Sequence, residues 1–507
     1  MSNTYLQTIK RREFLGIPVS VAFAGLARSA ERKKIAAIIT EYRTNSHADV
    51  IVGRMLYGYG YYGEHREPSV KVMSMYTDQV PENDMSRTLA VEHGFTIYPT
   101  VEEALTMGGQ DLAVEGVVFI GEHGDYPLNE KGQKLYPRYR LYKDIIDTFK
   151  KTGRSLPVFS DKHLSTEWDE AKWMYDQSVE MGFPLMAGSS LPVWWRYPEL
   201  ELEKGTPVEK AVVTSYGGKE SYGFHALECL QCIVERRDGG ETGIVAVQCL
   251  EGTPVWNWTD ANPWAVRLLE HALAQCPESK AGSPRNNVKS PILFILEYNS
   301  GLQAAVYLLN GQISSWALAA DISGSDEPLS FQFRSNQGER PYAHFSPLVY
   351  YIGKMMVTNK PSYPPERTLL TTGAISTLID SSYRGNIRIE TPFLDIAYNA
   401  PVDSLFWRME EPTGIQIEKN IAFTLLPNTP NPFNPITTIH YTIPTTTHVN
   451  LTIYNVMGQT VKVVKDGVAY TGRYSYTWNA IHMPSGYYFC TLRANGVRKT
   501  IKMMLIK

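Results

Sequence analysis

Gly116-Val-Val-Phe-Ile-Gly-Glu-His-Gly-Asp125 sets a five-residue apolar run against a turn rich in charge. A run that short, bounded by glycines, suits a strand covered on both faces, as in a parallel sheet. The same pattern recurs on either side of it. Ile35 to Ile39 is followed by Thr40-Glu-Tyr-Arg43, and Val70 to Tyr76 by Thr77-Asp78. Downstream, Pro157-Val-Phe159 leads into Ser160-Asp-Lys-His163, and Pro184 to Ala187 into Gly188-Ser-Ser190. Helical patterns lie between them. Arg140 to Lys151 puts Leu141, Ile145, Ile146 and Phe149 on one face and stops at Gly153. Thr166, three residues before Asp169, predicts a capping box for a helix running to Met181. Strands separated by helices require crossover connections, so residues 31–190 are expected to form an α/β Rossmann-like parallel sheet. Ligands of such sheets bind outside the carboxyl ends of the strands, where five polar turns here share one rim.

Residues 191–403 turn strand-rich, with helical stretches at Phe224 to Arg236 and Pro263 to Cys276. They are expected to form an α+β open-sheet domain that walls the site and offers a face for a homo-oligomer. Residues 404–425 read as a tether. The Pro/Asn cluster from Leu426 to Pro435 cannot be helical, and the segments after it alternate with period two, with turns expected at Gly458 and Gly467. Residues 426–507 are therefore expected to be a small all-β antiparallel sandwich.

At 507 residues, with 43% hydrophobic and 20% charged side chains, the chain has material for two to four domains and no signature of wholesale disorder. Its 49 Lys+Arg against 52 Asp+Glu leave a net charge of −3, which excludes the basic excess of a nucleic-acid groove. No run reaches the ~18 apolar residues of a transmembrane segment. The five cysteines are odd in number, and Cys229-x-x-Cys232 lies among Leu227, Leu230 and Ile233, the buried side of a helix, which favours core packing over redox or metal chemistry. At the start, Lys10-Arg-Arg-Glu-Phe-Leu-Gly16 before the apolar Ile17 to Ala27 resembles a twin-arginine signal, so residues 1–30 are expected to direct export.

Two further resemblances carry function. Pro430-Asn-Pro-Phe-Asn-Pro435, Ile453-Tyr-Asn-Val-Met-Gly458, Trp478, Pro484-Ser-Gly-Tyr-Tyr-Phe489 and Lys502 to Lys507 resemble the C-terminal sorting domains of type IX secretion, including their immunoglobulin-like hook-capping relatives. That resemblance implies delivery to the cell surface or exterior, with export machinery as the partner at both termini. In the core, Met75-Tyr-Thr-Asp78, Ser86 to Gly94, Tyr98 to Ala104, Val158 to Leu164, Tyr222-Gly-Phe-His225 and Glu366 to Arg388 are similar to the Gfo/Idh/MocA oxidoreductases. This second resemblance implies NAD(P) as cofactor and a small carbohydrate-like substrate, a sugar or polyol. Lys162 becomes the general acid/base, and His225 the group that orients or shares its proton. Thr40, Arg43, Asp78, Glu122, His123 and Asp161 are the rim residues expected beside the cofactor.

The chain departs from that pattern at informative places. No glycine occurs between Ala30 and Val52, although a dinucleotide turn uses glycines to bring backbone N–H groups to the pyrophosphate. Tyr57 to Gly63 lengthens the path to Asp78, Ser221 stands where the acid four residues before the histidine belongs, with Glu220 one step away, and His163 replaces a proline. Nicotinamide-dependent oxidoreduction and a non-redox alternative, a sugar-binding protein or a metal- or acid/base-assisted lyase or hydrolase, both stay open. His47, His123, Asp125 and His163 could supply metal ligands, but their spacing fits no standard motif and no metal residues are assigned. Trp194-Trp195 and Trp256-Asn-Trp258 fit either sugar platforms or core packing.

Overall fold

The computed structural model describes residues 32–62, 64–335, 342–408, 423–443, 447–469, 472–494 and 496–507; the export signal expected in residues 1–30 lies outside them. Among the described residues no helix is long and apolar enough to cross a membrane.

Six strands make the first sheet: β1 (Lys33–Ile39), β2 (Val70–Thr77), β3 (Thr96–Ile97), β4 (Gly116–Ile120), β5 (Val158–Asp161) and β6 (Leu185–Gly188). They pair in the order β3-β2-β1-β4-β5-β6, each pair parallel. Crossovers pass through α1 (His47–Tyr57), α2 (Ser86–His93), α3 (Val101–Thr106), α4 (Arg138–Thr152) and α5 (Trp168–Glu180). Alternation along β1 shows why both faces must be covered: Ile35, Ala37 and Ile39 pack with α1 on one side, Ala36 and Ile38 with α3 and α4 on the other. Strand order reverses at β1, so the crevice beside β1 and β4 is where a ligand of this fold belongs. Helix α4 ends, as its pattern predicts, on Gly153 in the left-handed conformation. The capping box predicted for α5 does not form. Its N-cap is Glu167 with no side-chain cap, Ser165 Oγ donates to Glu170 instead, and the Thr166 carbonyl is taken by Ser376 Oγ from a distant helix. Strand β3 is two residues long, too short to stand out as an apolar run.

The second sheet holds eight strands: β7 (Trp195–Tyr197), β8 (Val208–Ser215), β9 (Ile244–Glu251), β10 (Ile292–Tyr298), β11 (Gln303–Leu308), β12 (Trp316–Ile322), β13 (Leu329–Arg334) and β14 (Ile389–Glu390). Their order is β14-β9-β10-β11-β8-β12-β13-β7, antiparallel except for β8 with β11. Helix α6 (Ser221–Val234) packs on one face. Helices α7 (Thr253–Ala261) and α8 (Pro263–Ala274) cover the other, the face expected to be offered to a second copy. The chain then revisits the first sheet. Helix α9 (Phe345–Thr358) packs beside α1, and α10 (Glu366–Tyr383) lies against α5, α6 and β9. Phe406 and Trp407, expected within the tether, are buried, and Trp407 N donates to Val193 O.

Residues 424–505 form two antiparallel sheets, one of Thr424–Leu425, Ile436–Ile443 and Gly472–Asn479, the other of Thr460–Ala469, Thr447–Asn455, Gly486–Ala494 and Val497–Leu505. Ile439, Leu451, Ile453, Trp478 and Leu492 fill the space between them. Gly467 marks no turn: it pairs with Val449 inside the strand Thr460–Ala469.

Candidate active site

Lys162 follows the last residue of β5 with φ +63°, a conformation that costs a side-chain-bearing residue about 1–3 kcal/mol. Its N–H donates to Gly188 O at 3.1 Å, which ties the turn to the end of β6. The buried ammonium then meets Glu122 Oε1 at 3.2 Å, from the turn after β4. Arg138, the first residue of α4, completes the group: Nη2 donates to Glu122 Oε2 at 2.5 Å and Nη1 to His163 Nε2 at 2.9 Å. Burial by itself would raise the Glu122 pKa, but Lys162 and then Arg138 hold it well below the usual carboxylate range. The carboxylate therefore stays charged and fixes both cations. His163 is buried, and that burial, with Arg138 alongside, lowers its pKa, so a neutral imidazole accepts the guanidinium proton.

Two more histidines face the same space. His225, on the first turn of α6, has Nδ1 2.6 Å from Ser189 Oγ. Ser189 Oγ also accepts from Leu191 N at 3.1 Å, which fixes the hydroxyl beside the imidazole. Burial, then the charge of Lys162, pushes the His225 pKa well below its ordinary value, making it a neutral hydrogen-bonding group at pH 7. His47 opens α1 and places Nδ1 2.6 Å from Asp161 Oδ2 on β5, a buried carboxylate that orients the ring. The His47 and His123 rings lie 5.2 Å apart edge-to-face. His123 also has positive φ, +72°, and burial followed by His47 lowers its pKa to about 4.

These groups line one cleft of about 1120 Å³, whose lining also includes Trp194, Tyr222 and Trp316. A lysine held against a carboxylate, a neutral histidine and a histidine–aspartate pair can move protons to and from the oxygen of a hydroxyl or carbonyl.

The other rim residues do not line this cleft. Thr40 is buried, with Oγ1 donating to Glu122 O at 2.6 Å. Arg43 donates through Nε to Glu41 Oε1 at 2.6 Å and lies 3.4 Å from His123 Nδ1 through Nη2. Asp161 serves His47 from behind. Asp78, expected within reach of Lys162, accepts instead from Tyr76, Tyr126 and Arg140 at 2.8, 2.7 and 2.6 Å, because α4 carries Arg140 over the end of β2. Of the metal candidates His47, His123 and His163 share the cleft while Asp125 is exposed, and among the described residues no group of three or more His, Cys, Asp and Glu could hold a metal ion. Trp194 reaches the cleft, whereas Trp195 packs on Trp407, and Trp256 and Trp258 pack under α8. Cys229 and Cys232 are buried thiols whose pKa burial raises. The Glu122–Arg138 and His47–Asp161 pairs escape sequence inspection, since 16 and 114 residues separate the partners and only the strand order joins them.

A dinucleotide in this fold would place its pyrophosphate at the N-terminus of α1. The helix is there, capped by Ser46. The preceding turn is already filled. Tyr42 is fully buried in the apolar cluster, Thr40 is bonded to the β4 turn, and Gln79 and Asp125 exchange two 2.9 Å hydrogen bonds across it. With Asp78 also engaged, these residues do not reproduce the glycine-turn cradle.

Residues 429–507 match the family described as secretion system C-terminal sorting domain. No curated protein matches the chain. Among solved structures, the chain is similar to an inositol dehydrogenase homolog from Azotobacter vinelandii complexed with NADH and myo-inositol, with 11% identity, 71% of this chain and 98% of that chain covered, and a TM-score of 0.44. It is also similar to a myo-inositol dehydrogenase from Corynebacterium glutamicum (11% identity, 71% and 98% covered, TM-score 0.42) and an apo scyllo-inositol dehydrogenase from Lactobacillus casei (10% identity, 71% and 98% covered, TM-score 0.44). The chain carries an α/β parallel sheet of Rossmann type. At its carboxyl end it carries a type IX secretion sorting domain.

Proposed function

We propose that this protein is exported to the cell surface or beyond and binds a sugar or polyol in the cleft, where Lys162 and His225 exchange a proton with a substrate hydroxyl oxygen. The observation that carries this reading is Lys162 itself, held at positive φ at a strand end with its ammonium buried against Glu122 and facing the cleft. Lys162 gives or takes the proton at the substrate oxygen, while the neutral His225 hydrogen-bonds that oxygen and shares the charge change. His47, oriented by Asp161, accepts a proton from the same face.

A second reading, nicotinamide-dependent oxidoreduction of that substrate, is supported by the Rossmann strand order. It requires the β1–α1 turn to open. Purified full-length protein should be tested for bound NAD(P) by absorbance and mass spectrometry, and for thermal shifts with NAD(P)H and a panel of sugars and polyols. Lys162→Ala is expected to keep the fold and lose turnover on any substrate the panel identifies; unchanged turnover would refute the role. Absence of both bound nucleotide and a NAD(P)H shift would remove the redox reading and leave proton transfer standing.

A further inference from the structure

The cleft extends well past the proton-transfer groups, and its continuation is aromatic. Tyr222, one turn before His225 on α6, lies 6.1 Å from that ring and stacks on Trp316 at 5.6 Å with 14° between the planes. Trp316 is itself 6.4 Å from His225, and Tyr216 packs against it at 4.7 Å. Trp194 closes the back edge-to-face at 5.5 Å, its own Nε1 bonded to Ser190. These side chains come from the start of β12, the end of β8 and α6, so three elements converge to build the wall. Gly217 makes room for it. With φ +86° and no Cβ, it lets the Tyr222 ring sit where any side chain would meet it at 2.2 Å.

One polar atom in this wall is unpaired. Trp316 is only 7% exposed, lines the cleft, and among the described residues its Nε1–H has no hydrogen-bond partner. A buried donor without a partner costs ~1–3 kcal/mol, so such an atom in a cleft is commonly satisfied by ligand. Flat apolar ring faces with a donor at one edge match a pyranose, which presents a C–H face and equatorial hydroxyls together. The cleft volume of about 1120 Å³ lies beyond the ~300–1,000 Å³ that hold a drug-sized ligand, far more than one sugar ring needs.

We propose that the aromatic wall is a second sugar subsite adjoining the proton-transfer site, and that the substrate class is a glycoside of two or more rings rather than a free monosaccharide or inositol. One ring lies against Trp316, Tyr222 and Tyr216, with a hydroxyl accepting from Trp316 Nε1, and the next ring meets Lys162 and His225. This assignment rests on the sugar-binding function proposed for the cleft and names its substrate more narrowly.

Calorimetric titration of full-length protein with glucose, myo-inositol, cellobiose, maltose and lactose separates the two ideas. At least one disaccharide is expected to bind about tenfold tighter than either single-ring probe, the scale of one good aromatic contact. In Trp316→Ala, and in Tyr222→Leu should the tryptophan variant fail to fold, that ratio is expected to collapse to about one. Single-ring binding with no disaccharide gain, or a gain that survives both substitutions, would overturn the subsite while leaving the sugar-binding reading in place. Failure of every saccharide to bind would overturn both.

Discussion

His123 shows how much a single residue's surroundings decide. Its pKa is lowered to about 4, chiefly by burial and then by His47, while burial, with Arg54 and His47 nearby, takes His344 to about 3. His225 and His163 are lowered as well. For each, the unfolded chain binds more protons than the fold between its lowered value and the ordinary ~6.5, so stability is complete above ~6.5 and lost as pH falls toward 4. Glu228, raised to about 6 by burial, and Asp144 and Asp321, also raised by burial, work the other way, but three carboxyls oppose four imidazoles joined by the lowered Glu122 and Glu220. Thermal melts from pH 7 to pH 4 are therefore expected to show a falling Tm. The slope should flatten in His123→Asn, since asparagine tolerates the positive φ at that position. A Tm that holds or rises on acidification would contradict this account. Lys162, Glu122 and His123 were legible from sequence as polar residues just beyond apolar strands, and His225 from the resemblance carried by Tyr222-Gly-Phe-His225. Their partner Arg138 was not, because it carries no mark of what it faces until the strands are ordered.

At the scale of elements, α10 joins what the sequence divides. Its pattern reads only as a late helix, yet it packs on α5, α6 and β9, and Gly373 lets it approach closely. A Cβ there would meet Leu394 at 2.4 Å and Trp168 at 2.8 Å. Gly373→Ala gains up to about 1 kcal/mol of helix propensity, but overpacking costs about 1–3 kcal/mol, so a net loss of stability is expected in urea titrations. A more stable variant would show that this contact yields. The failed capping box at Thr166 has the same origin: α10 supplies Ser376 to the Thr166 carbonyl, and the local signal loses to a tertiary bond. Periodicity located five strands of the first sheet and helices α4, α5, α6 and α8 to within a few residues. It did not show that α9 covers the first sheet, because an apolar face carries no address.

For the whole molecule, the sandwich has its own apolar cluster, separate from those of the two larger sheets. Removing residues 429–507 is therefore expected to leave the melting of the remaining chain unchanged while holding the protein inside the cell, measured by fractionation of the producing bacterium. Surface delivery of the truncated chain would refute the sorting role. By itself the sequence determined the parallel sheet, the strand-rich second region, the alternating sandwich with its sorting motifs, and the rim that carries Lys162. Those features depend on local periodicity and on short contiguous motifs. Only the tertiary structure decided that Asp78 belongs to Arg140, that His47 is held by Asp161, that the β1–α1 turn is filled, and that Trp316 and Tyr222 extend the cleft. Each of these rests on which strand lies beside which, and on helices that return from far along the chain to compete for the same buried space.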